Sequence, residues 1–299
     1  MSQISNIEIT ANGMVFDGFV CGDRNDQPIV FLHGFPQSSI CWTEIMEKLA
    51  DNKCFCIAFN QRGYSSGARP KDTKQYSIEY LVQDVIAVAD YLGFDKFHLV
   101  GHDWGGAVAW ATAIMFPDRL YSLNAVSTPH PLALEGALKS NKSDQKDKSG
   151  YITFFRQESV AEQALMENDM AGFKLLYTVS GYDVSDPKLA QTLERYTELF
   201  SDKEVLTAAL NWYRAIDFND ISKALSESSF NVTVPTLYVW SSLDIALGKE
   251  AAFDTKNYVS ADYRFEILEG VSHWIPEMEG EKLSELLLSH IGSTINKSS

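Results

Sequence analysis

The chain has 299 residues, of which 45% are hydrophobic and 22% charged, an ordinary balance for a globular protein. Its formal net charge of −15 argues against nucleic acid and anionic membranes as partners, and mildly against an anionic substrate. Residues 1–10 lack a basic region followed by an apolar run, so we expect no secretory signal. We also expect no membrane span, because no apolar stretch is long enough.

The four cysteines lie in or beside apolar segments and form no CxxC pair. They are Cys21, Cys41, Cys54 and Cys56. This usage is typical of buried free thiols in a reducing compartment, so we expect a cytoplasmic protein.

The first hundred or so residues alternate between strand and helix patterns. Residues 6–21 alternate in polarity and break at Gly13, which predicts an antiparallel hairpin. Short apolar runs then alternate with segments of helical spacing, an order that predicts a parallel sheet with helices on both faces. The predicted strands are 28–33, 54–59, 97–100 and 120–126, and the predicted helices are 38–50, 77–92 and 104–115.

The pattern changes in residues 131–228, which show helical segments such as 159–167 and 186–198 but no clear strand. Sheet order resumes with apolar runs at 234–240 and 263–268, before a final helix near 281–290. We therefore predict one α/β core with a mostly parallel sheet, formed by residues 1–130 and 229–299. Residues 131–228 are predicted to form a helical cap inserted into that core.

A nucleophile elbow is indicated by Gly101-His-Asp-Trp-Gly105-Gly106, which follows a predicted strand and opens a predicted helix. The glycines permit a tight turn that lifts Asp103 away from the sheet, at a helix N-terminus that favours negative charge. Taken alone, Asp103 could be only the N-cap of that helix. A serine at this apex would need a base to remove its proton, whereas a carboxylate is already ionised near neutral pH. It can attack a saturated carbon and form an alkyl-enzyme ester.

The partners of Asp103 are expected after later strands, because the order nucleophile, acid, histidine is typical of this arrangement. His273 follows the last predicted strand and is the candidate base. Asp244 follows the strand at 234–240 and is the candidate acid, since no Asp or Glu follows the strand at 120–126. The remaining histidines are interpreted as packing, loop or helix residues: His33, His98, His102, His130 and His290.

The segment His33-Gly34-Phe35-Pro36 ends the strand at 28–33. The backbone N–H of Phe35, together with that of Trp104, is expected to form an oxyanion hole. Pro36 favours a cis peptide in that turn, with a trans turn as the alternative.

These residues resemble the epoxide hydrolases of the α/β-hydrolase superfamily, and the resemblance covers most of the chain. Residues 33–36 match that family's HGxP motif, and residues 101–106 match its elbow. Leu210-Asn-Trp-Tyr213-Arg resembles the cap segment that carries one of two ring-opening tyrosines. Tyr151-Ile-Thr-Phe-Phe resembles, less specifically, the segment that carries the other, and some relatives use a histidine there. Tyr177 and Tyr182 are the alternative tyrosines.

The resemblance implies that Asp103 attacks an epoxide carbon while Tyr151 and Tyr213 hold the oxygen, since phenols stay protonated at neutral pH. Water activated by His273 and oriented by Asp244 then hydrolyses the ester to release a diol. No metal or organic cofactor is expected. The partners would be a small apolar epoxide and water, and the protein would be a monomer or homodimer. An apolar pocket is expected from aromatic cap residues, namely Phe154, Phe155, Phe173 and Trp212.

The same residues bear on four other functions of this fold. A haloalkane dehalogenase would use the same Asp-His-Asp triad and needs halide donors; Trp104 could be one, but Phe35 stands where a second, often Asn, would be. A fluoroacetate dehalogenase would carry arginines after the nucleophile, and residues 104–110 contain none. A non-catalytic receptor on this fold could dispense with part of the triad, which is complete here. Asp103 at the elbow excludes a serine esterase.

Overall fold

The computed structural model describes residues 3–217 and 230–298. Eight strands are present in this part of the chain. They are β1 (Ser5–Ala11), β2 (Met14–Cys21), β3 (Gln27–Leu32), β4 (Cys54–Phe59), β5 (Phe97–His102), β6 (Leu120–Val126), β7 (Thr236–Ser241) and β8 (Tyr263–Leu268). They form one sheet in the order β1-β2-β4-β3-β5-β6-β7-β8. The pair β1–β2 is the predicted antiparallel hairpin, and the pairs from β4 to β8 are parallel, as expected for a mostly parallel sheet. The pair β2–β4 is also antiparallel, which is not predicted from the sequence.

Twelve helices are present in the same residues. They are α1 (Thr43–Ala50), α2 (Ile78–Leu92), α3 (Trp104–Met115), α4 (Pro131–Lys139), α5 (Gln145–Lys148), α6 (Gly150–Phe155), α7 (Val160–Val179), α8 (Pro187–Phe200), α9 (Lys203–Ala215), α10 (Lys249–Asp254), α11 (Ile275–Met278) and α12 (Gly280–Ser298). Short 3₁₀ turns lie at Ser39–Trp42, Thr73–Tyr76, Pro117–Arg119 and Thr255–Tyr258. None of the described helices combines the length and apolar character needed to cross a membrane.

Two boundaries differ from the predictions for local reasons. The predicted helix at 38–50 begins as a 3₁₀ turn and becomes α-helical only at Thr43. The predicted strand at 234–240 begins at Thr236, directly after Pro235, because proline has no N–H to donate to a neighbouring strand.

The centre of the sheet is dry on both faces. Every residue of β4, β5 and β7 is buried, which explains why their sequences are apolar runs rather than alternating patterns. Strands β3, β5, β7 and β8 run parallel, so the loops that follow them meet at one edge of the sheet. Ligand sites in open parallel sheets lie at this carboxyl edge.

Between β6 and β7 the described residues form only the helices α4 to α9. Helix α7 contains a kink where Glu167 to Met170 leave helical geometry, so the predicted helix at 159–167 covers only its first part. The Trp212 indole of α9 donates a hydrogen bond to the Arg62 carbonyl at 2.8 Å, which holds α9 against the loop after β4. The last residues of the predicted cap, 218–228, lie outside the described residues.

Candidate active site

Asp103 sits at the apex of a strained turn between β5 and α3. Its backbone has φ 52° and ψ −120°, a conformation that non-glycine residues rarely adopt. The neighbouring glycines leave no room for side chains: a Cβ on Gly101 would lie 2.1 Å from the Gly105 carbonyl oxygen, and one on Gly105 would lie 2.2 Å from that of Leu32. A Cβ on Gly34 would lie 2.3 Å from the Asp103 carboxylate, so this glycine lets the turn after β3 approach Asp103.

Two backbone N–H groups point at the Asp103 carboxylate. The Phe35 N–H donates to Oδ1 at 2.8 Å, and the Trp104 N–H donates to the same carboxylate from the first turn of α3. The Phe35–Pro36 peptide is cis, as predicted. The two groups expected to form an oxyanion hole therefore converge on the carboxyl group of Asp103.

His273 and Asp244 complete a buried line of charged groups. His273 Nε2 lies 3.6 Å from Asp103 Oδ2, and His273 Nδ1 lies 2.8 Å from Asp244 Oδ2. The other oxygen of Asp244 accepts the backbone N–H groups of Ala246 and Leu247 at 2.8 and 2.9 Å. These bonds fix the acid in its loop, so the imidazole is held between two carboxylates.

Burial and neighbouring charges have opposite effects on the pKa values of Asp103 and His273. Burial alone would raise the pKa of Asp103, but the hydrogen bond and charge of His273 and the Trp104 N–H outweigh it and lower the pKa below its usual range. For His273, burial lowers the pKa, but the carboxylates of Asp244 and Asp103 outweigh it and raise the pKa to about 10. At neutral pH the resting site therefore holds a carboxylate at residue 103 and an imidazolium at residue 273.

Tyr151 on α6 and Tyr213 on α9 face Asp103 from the helical segment, with their ring centroids 6.1 Å apart. Burial, followed by nearby groups that include Asp103, raises the pKa of both phenols, so both stay protonated. The Tyr213 hydroxyl is hydrogen-bonded to the Trp104 side chain. Because an indole only donates, the phenol oxygen accepts this bond, and the Tyr213 hydroxyl is also hydrogen-bonded to Tyr151.

The other aromatic candidates are placed elsewhere. Tyr177 donates to the Pro36 carbonyl, and Tyr182 donates to the Leu189 carbonyl at 3.2 Å, so neither hydroxyl faces Asp103. Of the four aromatic residues expected in the pocket, only Phe155 lines the cavity beside Asp103. Phe173 packs on Tyr177 and Phe200 instead, and the Trp212 indole bonds to Arg62, because both lie on helix faces turned towards neighbouring packing surfaces.

The cavity extends on both sides of Asp103. One part, of about 160 Å³, is lined by His273, Phe35 and other largely apolar residues. A second part, of about 60 Å³, lies towards Leu134 and Leu138. Both parts are bounded by Asp103, Tyr151, Tyr213 and Ala246. Asp103 and both phenols thus border largely apolar space on two sides.

His33, the first residue of the 33–36 motif, has a structural role. Its Nε2 accepts the Gln61 N–H at 3.1 Å, and its Nδ1 therefore donates to the Gly34 carbonyl at 3.0 Å. Burial lowers the pKa of His33 to about 4, so the ring is neutral. It holds the loop after β4 against the turn after β3.

The interpretation of His102 as a packing residue is incomplete. Its Nδ1 lies 2.8 Å from Gln37 Oε1, and its Nε2 lies 2.9 Å from the His273 carbonyl oxygen. Gln37 in turn bonds to Glu277. Sequence reasoning missed Gln37 and Glu277 because neither belongs to the triad or elbow patterns, although both lie within four residues of a motif residue.

The effect of the Asp103 charge on the pKa of His273 can be tested. The Asp103→Asn variant removes one of the two anions that raise the pKa of His273, so we expect this pKa to fall below about 10. The titration can be followed by nitrogen-15 NMR of the imidazole. As a control, Asp90→Asn removes a carboxylate from a partly exposed pair with Arg119 and should leave the His273 titration unchanged. An unchanged His273 pKa in Asp103→Asn would contradict the coupling.

Comparisons with known proteins agree with this architecture. The α/β hydrolase fold family matches residues 27–278. Among curated relatives, "Epoxide hydrolase 1" of Caenorhabditis elegans is 31% identical over 283 residues, which are 93% of this chain and 67% of that protein. "AB hydrolase superfamily protein YfhM" of Bacillus subtilis (strain 168) is 32% identical over 286 residues, which are 95% of this chain and 96% of that protein.

Solved structures show the same fold. Epoxide hydrolase A from Mycobacterium thermoresistibile superposes with a TM-score of 0.80 at 24% identity, covering 96% of this chain and 98% of that one. The epoxide hydrolase of Bacillus megaterium in complex with an inhibitor gives a TM-score of 0.82 at 23% identity, covering 96% of this chain and all of that one. With the family match spanning most of its length, this chain belongs to the α/β-hydrolase fold family, and curated relatives along that length are named epoxide hydrolases.

Proposed function

We propose that the protein is an epoxide hydrolase that opens an apolar epoxide to a vicinal diol through an ester on Asp103. One observation carries the proposal: two protonated phenols, Tyr151 and Tyr213, border the same cavity as a buried ionised carboxylate. A carboxylate supplies the nucleophile, and the phenols supply the proton that the departing oxygen needs. The names of the relatives agree with this reaction.

In the first half-reaction, Asp103 attacks one epoxide carbon with the carboxylate oxygen that faces the cavity, and the carbon–oxygen bond of the ring breaks. The oxygen that leaves is strongly basic, and Tyr151 and Tyr213 donate hydrogen bonds and then one proton to it. The two phenols suit this role because they are hydrogen-bonded to each other, and the Tyr213 oxygen accepts from Trp104, so both hydroxyls are held beside Asp103. The products of this step are an alkyl ester on Asp103, a neutral hydroxyl and a tyrosinate, which now carries the negative charge that Asp103 has lost.

In the second half-reaction, water attacks the carboxyl carbon of Asp103. Ester formation removes the negative charge of Asp103, which is one of the two charges that raise the pKa of His273. The imidazolium then gives up its proton more easily; this proton restores the tyrosinate to a phenol, and His273 becomes a base held by Asp244. It takes a proton from water, while the Phe35 and Trp104 N–H groups stabilise the oxyanion. The tetrahedral intermediate then breaks its bond to the alkyl oxygen, and this oxygen takes the proton of the new carboxyl group. The diol leaves, with Asp103 again a carboxylate and His273 again an imidazolium.

A dehalogenase remains the second candidate, because it would use the same triad. The contacts of Trp104 weigh against it: the indole hydrogen-bonds to Tyr213 and is engaged before any halide arrives. Phe35 has an apolar side chain that packs on Phe155, Phe200 and Tyr213, and it offers no second donor. A halide leaving group in this cavity would therefore lack the polar partners that two donors provide.

We extend the proposal to the surroundings of the site. Residues 131–228 act as a cap that brings both phenols over the nucleophile, and the reaction uses no metal or organic cofactor. The four cysteines are free and buried, which supports a reducing, cytoplasmic location. We propose that the protein is a monomer or a homodimer. The acidic surface supports a substrate without negative charge.

The His273→Gln variant tests the proposal directly. Without the base, the ester on Asp103 should accumulate when the protein meets styrene oxide, 1,2-epoxyhexane or cyclohexene oxide. Intact-mass measurement should show a gain equal to one whole epoxide. Adding Asp103→Asn to this variant should abolish the gain.

The same panel distinguishes the alternatives. If 1-bromohexane or a haloacid gives a gain equal to its organic group without the halogen, and the epoxides give none, the protein is a dehalogenase. If no compound of either kind modifies the protein, the proposed enzymatic reaction is wrong and a receptor becomes the better account.

The tyrosines give a second prediction. Replacing Tyr213 by Phe removes a proton donor to the epoxide oxygen, so ester formation should slow by about 10²-fold, within the range for general acid catalysis. Tyr151→Phe should have a similar effect, measured as the single-turnover rate of adduct formation. Tyr182→Phe is the matched control because its hydroxyl bonds to Leu189 outside the cavity. Equal rates in Tyr213→Phe and Tyr182→Phe would rule out ring opening by Tyr213.

A further inference from the structure

Glu277 is a buried carboxylate close to the candidate base but outside the triad. It lies in α11, four residues after His273, and both its oxygens accept hydrogen bonds. Gln37 Nε2 donates to Oε1 at 2.8 Å and to Oε2 at 3.0 Å, and the Tyr196 hydroxyl donates to Oε1 at 2.9 Å. One carboxylate thus joins the histidine loop, the turn after β3 and helix α8.

The orientation of the Gln37 amide is fixed by its neighbours. The Gly34 N–H donates to Gln37 Oε1 at 3.1 Å, so the amide oxygen faces the turn and the amide nitrogen faces Glu277. An ionised Glu277 accepts from that nitrogen with both oxygens. A protonated Glu277 would turn a hydrogen towards one of its donors and lose a bond. The hold of Gln37 on Gly34 therefore depends on the charge of Glu277.

Gly34 is followed by Phe35, whose N–H donates to Asp103. We propose, on the basis of the function proposed above, that Glu277 is a positioning residue for ester hydrolysis. Its carboxylate acts through Gln37 to hold the Gly34–Phe35 turn in place.

The two half-reactions should respond differently to this contact. During ester formation, negative charge leaves the Asp103 carboxylate and moves to the epoxide oxygen beside the tyrosines. A weaker Phe35 hydrogen bond costs little in that step, since it leaves the nucleophile at least as reactive. During ester hydrolysis, full negative charge develops on the oxygen that the Phe35 N–H contacts. A displaced N–H therefore slows hydrolysis and spares ester formation.

The surroundings of Glu277 set the pH at which the contact is lost. Burial raises its pKa to about 7, against the hydrogen bonds from Gln37 and Tyr196 and the charge of His273. The other ionisable groups near it are Cys41, Tyr177 and Tyr182, all of which are neutral at this pH because burial raises the pKa of each. No Lys or Arg of the described residues forms an ion pair with it. Below about pH 7, ester hydrolysis should slow because Glu277 takes up a proton. Protonation of His273 slows hydrolysis as well, so two protons act on this step.

The test compares Glu277→Gln with the wild-type protein in single turnovers of the panel epoxide that the wild type converts fastest. Ester formation and ester decay are followed by rapid quench and intact mass between pH 5.5 and 9. At pH 8 we expect decay to slow by about 10-fold, less than the 10²–10³ lost with a whole oxyanion donor, and formation to change little. On the acid side of the pH profile (the acid limb), the rate of ester decay should depend on about two protons in the wild type and on about one in Glu277→Gln.

Tyr196→Phe supplies a second test that does not remove the carboxylate. It deletes one donor to ionised Glu277, so the pKa of Glu277 rises and the acid limb of decay moves to higher pH. Tyr182→Phe, whose hydroxyl bonds to Leu189, is the matched control and should leave the limb in place.

Equal losses in formation and decay, or an unchanged two-proton limb in Glu277→Gln, would overturn the positioning role. If Glu277→Gln does not fold, an unmoved limb in Tyr196→Phe would overturn it. These results leave the epoxide hydrolase proposal intact, whereas failure of every epoxide to modify Asp103 would overturn both.

Discussion

The whole site depends on keeping one carboxylate charged inside the protein. Removing an ion from water costs several kcal/mol even after the protein relaxes, so a buried Asp103 would tend to take up a proton and lose its nucleophilicity. Two backbone N–H groups, a helix N-terminus and the His273 imidazolium oppose that tendency and lower its pKa. The strained backbone and the crowded glycines follow from the same constraint, because donors must approach a carboxylate at the apex of a turn.

The charges of the site are arranged for a sequence of two steps. The resting line holds two carboxylates around one imidazolium. In the mechanism that we propose, ester formation neutralises Asp103, which leaves the imidazolium with one carboxylate, Asp244, and favours release of its proton. One histidine can therefore stabilise the nucleophile in the first step and serve as base in the second. The phenols of Tyr151 and Tyr213, whose pKa values are raised, are protonated in the resting site and can therefore donate in the first step.

Much of the fold could be predicted from the sequence because strongly patterned segments determine it. The apolar runs at β4 and β5 and the elbow glycines each restrict the backbone locally, and chain order then places Asp244 and His273 after later strands. Contacts between helices of the inserted segment could not be predicted in the same way. Phe155 and Phe173 are both buried aromatic residues of this segment, yet only Phe155 lines the cavity beside Asp103, because the packing of α6 and α7 decides which face is covered. Gln37 and Glu277 are 240 residues apart, and only the folded chain brings them into contact.

The central claim is that water attacks the carboxyl carbon of Asp103 and never the epoxide carbon. It is tested by a single turnover of a panel epoxide in water enriched in oxygen-18, with protein in excess. We predict an unlabelled diol from the first turnover and one heavy oxygen in the peptide that contains Asp103. A labelled diol with an unlabelled Asp103 would show direct attack of water on the epoxide and would contradict the covalent mechanism.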